Sequence, residues 1–83
     1  MNYVYIIKSI KDNRLYISQT NDLQERLKRH NKGYVKSTQN RRPFKIIYTE
    51  KLKSRDEAIK RERYLKKLKG GNELKKILKS KTR

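Results

Sequence analysis

The chain has 83 residues, enough for one domain, and 25 Lys and Arg against eight Asp and Glu give it a formal net charge of +17. Charged residues make up 40% of the chain and hydrophobic residues 33%; disordered chains share this balance, but the apolar residues here are clustered and periodic, as in a folded domain. The absence of cysteine excludes a disulfide framework and a thiolate metal site, and no apolar run is long enough for a membrane-spanning helix or a signal peptide.

A β-hairpin is predicted near the N-terminus. Residues 3–10, YVYIIKSI, and residues 15–19, LYISQ, are rich in aromatic and β-branched side chains, so each predicts a strand. The polar segment between them, KDNR at 11–14, contains an Asp-Asn pair that tolerates left-handed backbone angles. The two strands are therefore expected to pair through this turn.

The register of the hairpin decides which side chains are neighbours. A loop of two or four residues centred on the Asp-Asn pair would place Tyr5 opposite Thr20. Side chains alternate between the faces of a strand, so Tyr5, Tyr16 and Ser18 are expected to share one face. The opposite face then carries Val4, Ile6, Leu15 and Ile17.

Helix caps and breakers divide the rest of the chain. Asn21 or Asp22 can begin a helix that Gly33 ends, and Ser54 with Glu57 forms a capping box at the start of another. The predicted elements are a helix from Leu23 to about Asn31, a long loop over residues 31–43, a strand over residues 44–52, a helix over residues 54–69 ended by Gly70-Gly71, and a short helix over residues 72–79.

The order of these elements predicts an α+β fold. Two strands, a helix, a third strand and two helices (β-β-α-β-α-α) favour a small three-stranded antiparallel sheet flanked by helices. A single domain over residues 1–83 is expected, with residues 79–83 as a frayed basic tail. The irregular loop 31–43 is longer than most connections, and such loops are often functional.

Two polar residues of the first helix lie beside its apolar stripe. Leu23 and Leu27 define the stripe, and Arg26 and His30 fall next to it at about 100° per residue. Both side chains are expected to point toward a cleft. The alternatives are a snorkelling arginine and a single polar residue at a helix end.

Glu62 is the most unusual acid in the sequence. It falls within the apolar stripe of the helix over residues 54–69, which consists of Ala58, Ile59, Leu65 and Leu68. A carboxylate in such a place is costly unless it is paired or binds a metal. A salt bridge with a nearby Lys or Arg and a metal site are both consistent with the pattern.

The net charge of +17 predicts an anionic partner. Small basic domains of this kind commonly bind nucleic acid through its phosphates, and a membrane surface is the alternative. With one His and no Cys, a zinc site of the usual kind is excluded. Arginine, histidine, tyrosine and one carboxylate together suit phosphodiester cleavage, because a carboxylate can hold Mg²⁺ and an arginine can stabilise charge on the phosphate.

The order and spacing of these residues resemble the GIY-YIG nuclease superfamily, in its branch of small single-domain bacterial proteins. YVY at 3–5 stands where the family has GIY, and YIS at 16–18 stands where it has YIG. DLQERLKRHNKG matches the motif of the first helix, KSTQNRRPFKIIYTEKL matches the loop and third strand, and EAIKRERYLKK matches the helix with the metal-binding glutamate. The resemblance extends from Tyr3 to about Leu78.

The resemblance implies a role for each matching residue. Tyr5 would be the general base for the attacking water, with Tyr16 in the same pocket. Arg26 would stabilise charge on the scissile phosphate, His30 would assist at the phosphate or leaving group, and Glu62 would bind one Mg²⁺ or Mn²⁺ ion. General phosphate contacts would come from Lys8, Arg41 and Arg42, and Asn72 is a further site residue or the cap of the last helix.

Ser18 is the main departure from the family pattern, because it replaces the glycine of YIG. If that position requires φ > 0 or close backbone approach, serine strains the hairpin or crowds the pocket. Two functions therefore stay open. One is a metal-dependent DNA endonuclease, cytoplasmic and with a role in DNA repair or processing. The other is a basic nucleic-acid-binding module without catalysis, either a degenerate nuclease or a ribosome- or nucleoid-associated protein.

The sequence does not define the substrate further. DNA is the expected partner, with RNA as an alternative, and neither a membrane nor a small-molecule cofactor is expected. No segment is recognisable as a groove-reading element, which favours recognition by backbone or shape. One site of this kind cuts one strand, so duplex cleavage would need a second visit, a dimer or a protein partner.

Overall fold

The computed structural model describes residues 1–69 and 71–81. The strands are β1 (Asn2–Ser9), β2 (Leu15–Thr20) and β3 (Phe44–Leu52), and the helices are α1 (Leu23–Lys32), α2 (Arg55–Leu68) and α3 (Asn72–Lys81), with a 3₁₀ turn at Gln39–Arg41 in the loop before β3. The predicted order of elements is confirmed. Within the described residues, no helix is long and apolar enough to cross a membrane.

The three strands form one antiparallel sheet in the order β2-β1-β3. The central strand, β1, is also the most apolar, with Val4, Tyr5, Ile6 and Ile7 all at most 1% exposed. A central strand needs apolar side chains on both faces because helices cover both. The α+β prediction with a three-stranded antiparallel sheet is therefore confirmed.

The predicted hairpin register is wrong, although the predicted faces are right. Tyr5 pairs with Ser18, two residues from the expected Thr20. The reason is the turn, which begins at Ile10 because the buried Ser9 hydroxyl accepts the backbone N–H groups of Lys11 and Asp12 at 3.1 and 3.2 Å. A shift of two residues keeps every side chain on its face, whereas a shift of one would have exchanged the faces.

The sheet separates two apolar clusters. On one face, Val4, Ile6 and Ile17 pack with residues of α2 and α3, namely Ala58, Leu65 and Leu74. On the other face, Tyr5, Ile7 and Phe44 pack with Tyr16 and with Leu23 and Leu27 of α1. The sheet is thus covered by α1 on one side and by α2 and α3 on the other.

A bulge in β3 lets this strand contribute to both clusters. Ile6 pairs with Tyr48 but Ile7 pairs with Ile46, so Ile47 is the extra residue. The bulge changes the alternation of side chains along the strand. Phe44 and Ile46 therefore reach the α1 side and Tyr48 reaches the side of α2 and α3.

The predicted helix starts are confirmed. Asp22 caps α1 by accepting the Glu25 N–H at 3.1 Å, and Ser54 caps α2 by accepting the Glu57 N–H at 3.2 Å. The Glu57 carboxylate in turn accepts the N–H of Lys53 at 3.1 Å, one residue before the cap. These contacts satisfy backbone donors that a helix start leaves free.

The helix ends agree less closely with the sequence. Gly33 ends α1 in the left-handed conformation, with φ of 83°, as expected. The last helix, however, continues to Lys81, beyond the predicted end at residue 79, so the predicted tail begins inside it. Gly70, Thr82 and Arg83, which belong to the predicted stop and tail, lie outside the described residues.

Candidate active site

Three of the predicted site residues meet at one phenolic oxygen. The Tyr5 hydroxyl lies 2.9 Å from Nε2 of His30, and Nε of Arg26 donates to the same oxygen at 3.3 Å. Tyr5 comes from the central strand and is 1% exposed, while Arg26 and His30 lie one turn apart on α1. Helical spacing therefore presents both side chains to the same atom.

The second ring nitrogen of His30 has a partner in the loop before β3. Nδ1 of His30 lies 2.8 Å from Oγ1 of Thr38, and Oγ1 donates to the Val35 carbonyl at 3.3 Å. His30 and Thr38 are 4% and 1% exposed. A continuous line of hydrogen bonds therefore runs from Arg26 through the interior to the loop.

Burial and charge both favour neutral His30. Burial lowers the pKa of His30 below its usual 6.5, and the positive charge of Arg26 lowers that pKa further. A buried imidazolium beside a guanidinium is costly because both groups are positive and poorly hydrated. The neutral ring keeps one nitrogen atom free to accept a proton.

Aromatic rings surround this line of hydrogen bonds. Phe44 stands edge-on to His30 and to Tyr16, with ring centroids 5.9 and 5.4 Å apart. Nζ of Lys69 lies 5.4 Å from the centre of the Tyr16 ring. The Tyr16 hydroxyl makes no hydrogen bond within the described chain, so it is available to water or phosphate.

An open cavity of about 410 Å³ adjoins these groups. Its lining includes Tyr16, Ser18, Arg26, His30, Lys66 and Lys69. Three of these side chains are cationic, namely Arg26 of α1, Lys66 of α2 and Lys69, which directly follows α2. The cavity is therefore positively charged and suited to phosphate oxygens.

Glu62 lies outside the cavity lining and is joined to it through an ion pair with a lining residue. Its Oε2 lies 2.6 Å from Nζ of Lys66, one turn further along α2, and its side chain is 17% exposed. The salt bridge that the sequence left open is thus present. Lys66 itself lines the cavity, so the carboxylate and the cationic pocket are neighbours.

The metal-binding side chains near the cavity determine whether a divalent ion fits. No group of three His, Cys, Asp or Glu side chains that could hold a metal occurs among the described residues. A fully protein-built cage is therefore absent from residues 1–69 and 71–81. Mg²⁺ needs less, because it keeps several waters and is commonly held by one or two carboxylates together with substrate phosphates. Glu62 fits such a site if Lys66 gives up its ion pair.

Ser18 lies in regular extended backbone. Among the described residues, only Asn13 and Gly33 have positive φ, so position 18 does not need glycine for its conformation. Ser18 is paired with Tyr5 across the hairpin and its side chain lines the cavity. Of the two alternatives that the sequence left open, the structure therefore has the ordinary strand without backbone strain, and the serine adds only a small side chain to the cavity lining.

The predicted phosphate contacts lie outside the cavity lining. Lys8 pairs with Leu15, whose side chain belongs to the cluster on the side of α2 and α3, so Lys8 faces away from Tyr5. Arg41 forms an ion pair with Asp12 of the hairpin turn, and Arg42 donates to the Gln39 carbonyl at 2.8 Å. Asn72, the first residue of α3, is exposed and also lies outside the lining.

The Asp12–Arg41 pair changes the titration of both partners. Hydrogen bonding, above all from the Arg14 backbone N–H and also from Arg41, lowers the pKa of Asp12. The Asp12 carboxylate in turn raises the pKa of Arg41, and the Tyr16 phenol adds to this rise. Arg41 is therefore held at the hairpin turn by its ion pair with Asp12.

Sequence reasoning missed three residues of this region. Thr38 lies in a loop with no periodic pattern, so nothing in the sequence singled it out from its neighbours. Lys66 and Lys69 were two of many basic residues. The spacing of four between Glu62 and Lys66 was the one available signal, because such pairs meet on a helix surface.

Comparisons with known proteins identify the family of this chain. The family model for the GIY-YIG catalytic domain matches residues 1–75. UPF0213 protein CPE1444 of Clostridium perfringens is 49% identical over 69 residues, covering 82% of this chain and 73% of its own. UPF0213 protein YazA of Bacillus subtilis is 41% identical over 68 residues, covering 81% and 69%.

A solved structure gives the same result for the fold. The solution NMR structure of UPF0213 protein BH0048 from Bacillus halodurans matches with a TM-score of 0.61 and 34% identity, over 98% of this chain and 86% of that one. With the family model spanning most of the sequence, the chain belongs to the GIY-YIG nuclease family.

Proposed function

We propose that this protein is a divalent-metal-dependent endonuclease that hydrolyses DNA phosphodiester bonds at the cavity between α1 and α2. The observation that carries the proposal is the contact of Tyr5 with both His30 and Arg26 beside a cationic pocket. DNA repair or processing is the role we propose for it. The net charge of +17 supports binding to a polyanion.

Tyr5 and His30 provide the proton transfer. The Tyr5 hydroxyl donates its proton to Nε2 of neutral His30, at 2.9 Å, and the phenolic oxygen then takes a proton from water. The water oxygen forms a bond to phosphorus as the bond from phosphorus to the leaving sugar oxygen breaks, and the proton held by His30 passes to that oxygen, which restores the neutral ring. The burial of both residues excludes bulk water that would otherwise protonate the phenolate.

Arg26 acts on two negative charges. Its Nε–H contacts the Tyr5 oxygen and stabilises the charge that develops there. Its two terminal nitrogen atoms make no hydrogen bond within the described chain, and Arg26 lines the cavity. These groups are positioned to bind the phosphate, because guanidinium matches phosphate oxygens in geometry.

Glu62 would hold the metal ion. When bound there, Mg²⁺ or Mn²⁺ would neutralise negative charge on the phosphate oxygens. The Lys66 ammonium must leave Glu62 for this to happen, and its position in the cavity lets it move to a phosphate. Tyr16 and Lys69 would contact the same strand of nucleic acid.

A cleavage assay tests this function. Plain duplex, single-stranded and branched DNA are incubated with the protein in Mg²⁺, in Mn²⁺ and in chelator. The matched pair of variants is Glu62→Gln, which removes the carboxylate paired with the lining residue Lys66, and Glu73→Gln on α3, which is exposed. Metal-dependent cleavage that Glu62→Gln removes and Glu73→Gln leaves intact is expected. Equal cleavage by the wild type and Glu62→Gln would reject the proposal.

A binding module without catalysis is the second candidate. The ion pair between Lys66 and Glu62 satisfies the carboxylate without a metal, and this observation favours it. Such a module would bind DNA with a steep dependence on salt and would be indifferent to chelator and to Glu62→Gln. The same assay, read as binding and as cleavage, separates the two functions.

A further inference from the structure

The hydroxyl of Thr38 contacts a buried histidine and does not cap the backbone, although Thr38 occupies a capping position. Thr38 precedes the 3₁₀ turn Gln39–Arg41, a place where threonine commonly caps the backbone, yet its side chain makes no capping hydrogen bond. Its oxygen instead lies 2.8 Å from Nδ1 of His30. The side chain is 1% exposed and is thus committed to the interior.

The donor and the acceptor of each hydrogen bond around His30 can be assigned from the position of its hydrogen atom. Oγ1 of Thr38 has one hydrogen, which it can donate to the Val35 carbonyl at 3.3 Å, and Oγ1 then accepts from Nδ1–H of His30. Nε2 of the neutral ring is then an acceptor, and it receives the hydroxyl hydrogen of Tyr5. Arg26 donates to the oxygen of Tyr5, which completes the line in one direction.

The opposite tautomer leaves the hydroxyl hydrogen of Tyr5 without an acceptor. With the hydrogen on Nε2, both His30 and Arg26 would donate to the Tyr5 oxygen, and neither could accept the hydroxyl hydrogen of Tyr5. Tyr5 is buried, so a donor without an acceptor there costs about 1–3 kcal/mol. The Nδ1–H tautomer has no such defect.

We propose that Thr38 is a positioning residue that holds His30 in the Nδ1–H tautomer and thereby makes Nε2 the proton acceptor for Tyr5. The catalytic part of this inference rests on the proposed function, since it is Tyr5 whose proton is moved. The tautomer itself does not depend on that function. Tyr5 favours the same tautomer from the other side of the ring, and Thr38 adds the acceptor that Nδ1–H requires.

Histidine-selective ¹⁵N NMR on the full chain tests the tautomer directly. His30 is the single histidine of the sequence, so its two ring nitrogens are the only histidine signals of the protein. At a pH where the ring is neutral, Nδ1 is expected to show the shift of a protonated nitrogen and Nε2 that of an unprotonated one. The reverse assignment in the wild type would overturn the proposal without any variant.

Two substitutions separate the hydroxyl from the shape of the side chain. Thr38→Ser keeps the hydroxyl and is expected to keep the tautomer and the cleavage rate. Thr38→Val keeps the shape but cannot accept from Nδ1, so it is expected to shift His30 toward the Nε2–H form and to lower cleavage at least tenfold. An unchanged tautomer in folded Thr38→Val would overturn the proposal.

The outcomes also distinguish this proposal from the proposed function. If the wild type shows the Nδ1–H form and Thr38→Val loses it, but the wild type cleaves no DNA, the positioning role of Thr38 stands and the nuclease function fails. If cleavage is found with the Nε2–H form, the nuclease stands and the role of Thr38 fails. Circular dichroism of each variant confirms that it folds. If Thr38→Val does not fold, the ¹⁵N spectrum of the wild type still determines the tautomer.

Discussion

Tyr5 and His30 are joined across 25 positions of sequence by a 2.9 Å contact between the phenolic oxygen and Nε2. One residue lies on the central strand and the other near the end of α1, so the contact exists only when the helix packs on the sheet. The packing of Leu23 and Leu27 against the Tyr5 cluster provides this. The same contacts that stabilise the fold therefore assemble the proton path.

Replacing Tyr5 by phenylalanine removes the hydroxyl and keeps the ring. We expect cleavage to fall by about 10²–10⁴-fold, because a positioned general base contributes that much. Stability should fall by about 1–3 kcal/mol, since Nε2 of buried His30 loses its partner. Single-turnover rates and urea unfolding measure the two effects.

Tyr64→Phe is the matched control for this change. Tyr64 lies on α2 and is 45% exposed, so loss of its hydroxyl should alter neither the rate nor the unfolding free energy. Full activity in a folded Tyr5→Phe protein would contradict the assignment of Tyr5 as base.

Much of the fold follows from the sequence because local patterns carry it. Alternation in β1 and β2 gave the two faces of the hairpin, and the caps at Asp22 and Ser54 gave the helix starts. The register did not follow, because it depends on the buried hydroxyl of Ser9, which looks like any turn serine in the sequence. Its burial is a tertiary property.

The contacts of the candidate site are likewise only partly predictable from the sequence. Helical spacing brings Arg26 and His30 to one side of α1, and that can be read from residue numbers. The contact of Thr38 with His30 cannot, because a loop without periodicity gives no direction for its side chains. The ion pair of Glu62 was one of two readings of a carboxylate in an apolar stripe, and only packing could choose between them.

His30 should make the stability of the protein dependent on pH. Burial and Arg26 lower its pKa in the folded state below 6.5, so the unfolded chain binds more protons than the folded one as pH falls below about that value. The contribution of His30 to the unfolding free energy is therefore fully present above pH 6.5 and is lost as pH falls toward the folded pKa. Urea unfolding at pH 7.5 and 5.5 is the measurement.

A variant without the imidazole isolates this effect. The unfolding free energy of His30→Gln should change less between the two pH values than that of the wild type, because the carboxylates are the same in both. An equal change in the two proteins would show that His30 titrates alike when folded and unfolded.

The ion pair of Lys66 with Glu62 should compete with a metal ion. Lys66→Ala leaves the carboxylate free, so Mn²⁺ should bind more tightly by a few-fold, as expected from about 0.2–1 kcal/mol for an ion pair whose lysine is half exposed. Lys67→Ala is the matched control, because it removes the same charge from an exposed neighbour that lies outside the cavity lining. Titration of Mn²⁺ by calorimetry measures both variants.

The comparison between these two variants decides the result. Equal affinities for Mn²⁺ in Lys66→Ala and Lys67→Ala would mean that net charge alone matters. Binding that survives Glu62→Ala would place the metal elsewhere.

Ser18 is expected to be compatible with catalysis as it stands. Its φ is not positive and its backbone pairs regularly with Tyr5, so glycine offers no conformational advantage. Ser18→Gly should lower stability by about 0.5–1 kcal/mol, the usual cost of glycine in a strand. Its cleavage rate should stay within about twofold of the wild type, which corresponds to less than about 0.5 kcal/mol in the barrier.

Ser18→Ala completes this test because it removes the hydroxyl and keeps Cβ. If the hydroxyl crowds the cavity, both variants should gain activity; if Cβ does, only Ser18→Gly should. We expect neither gain, since the cavity of about 410 Å³ that Ser18 lines remains open. A tenfold or greater rise in Ser18→Gly would instead identify position 18 as the residue that limits this nuclease.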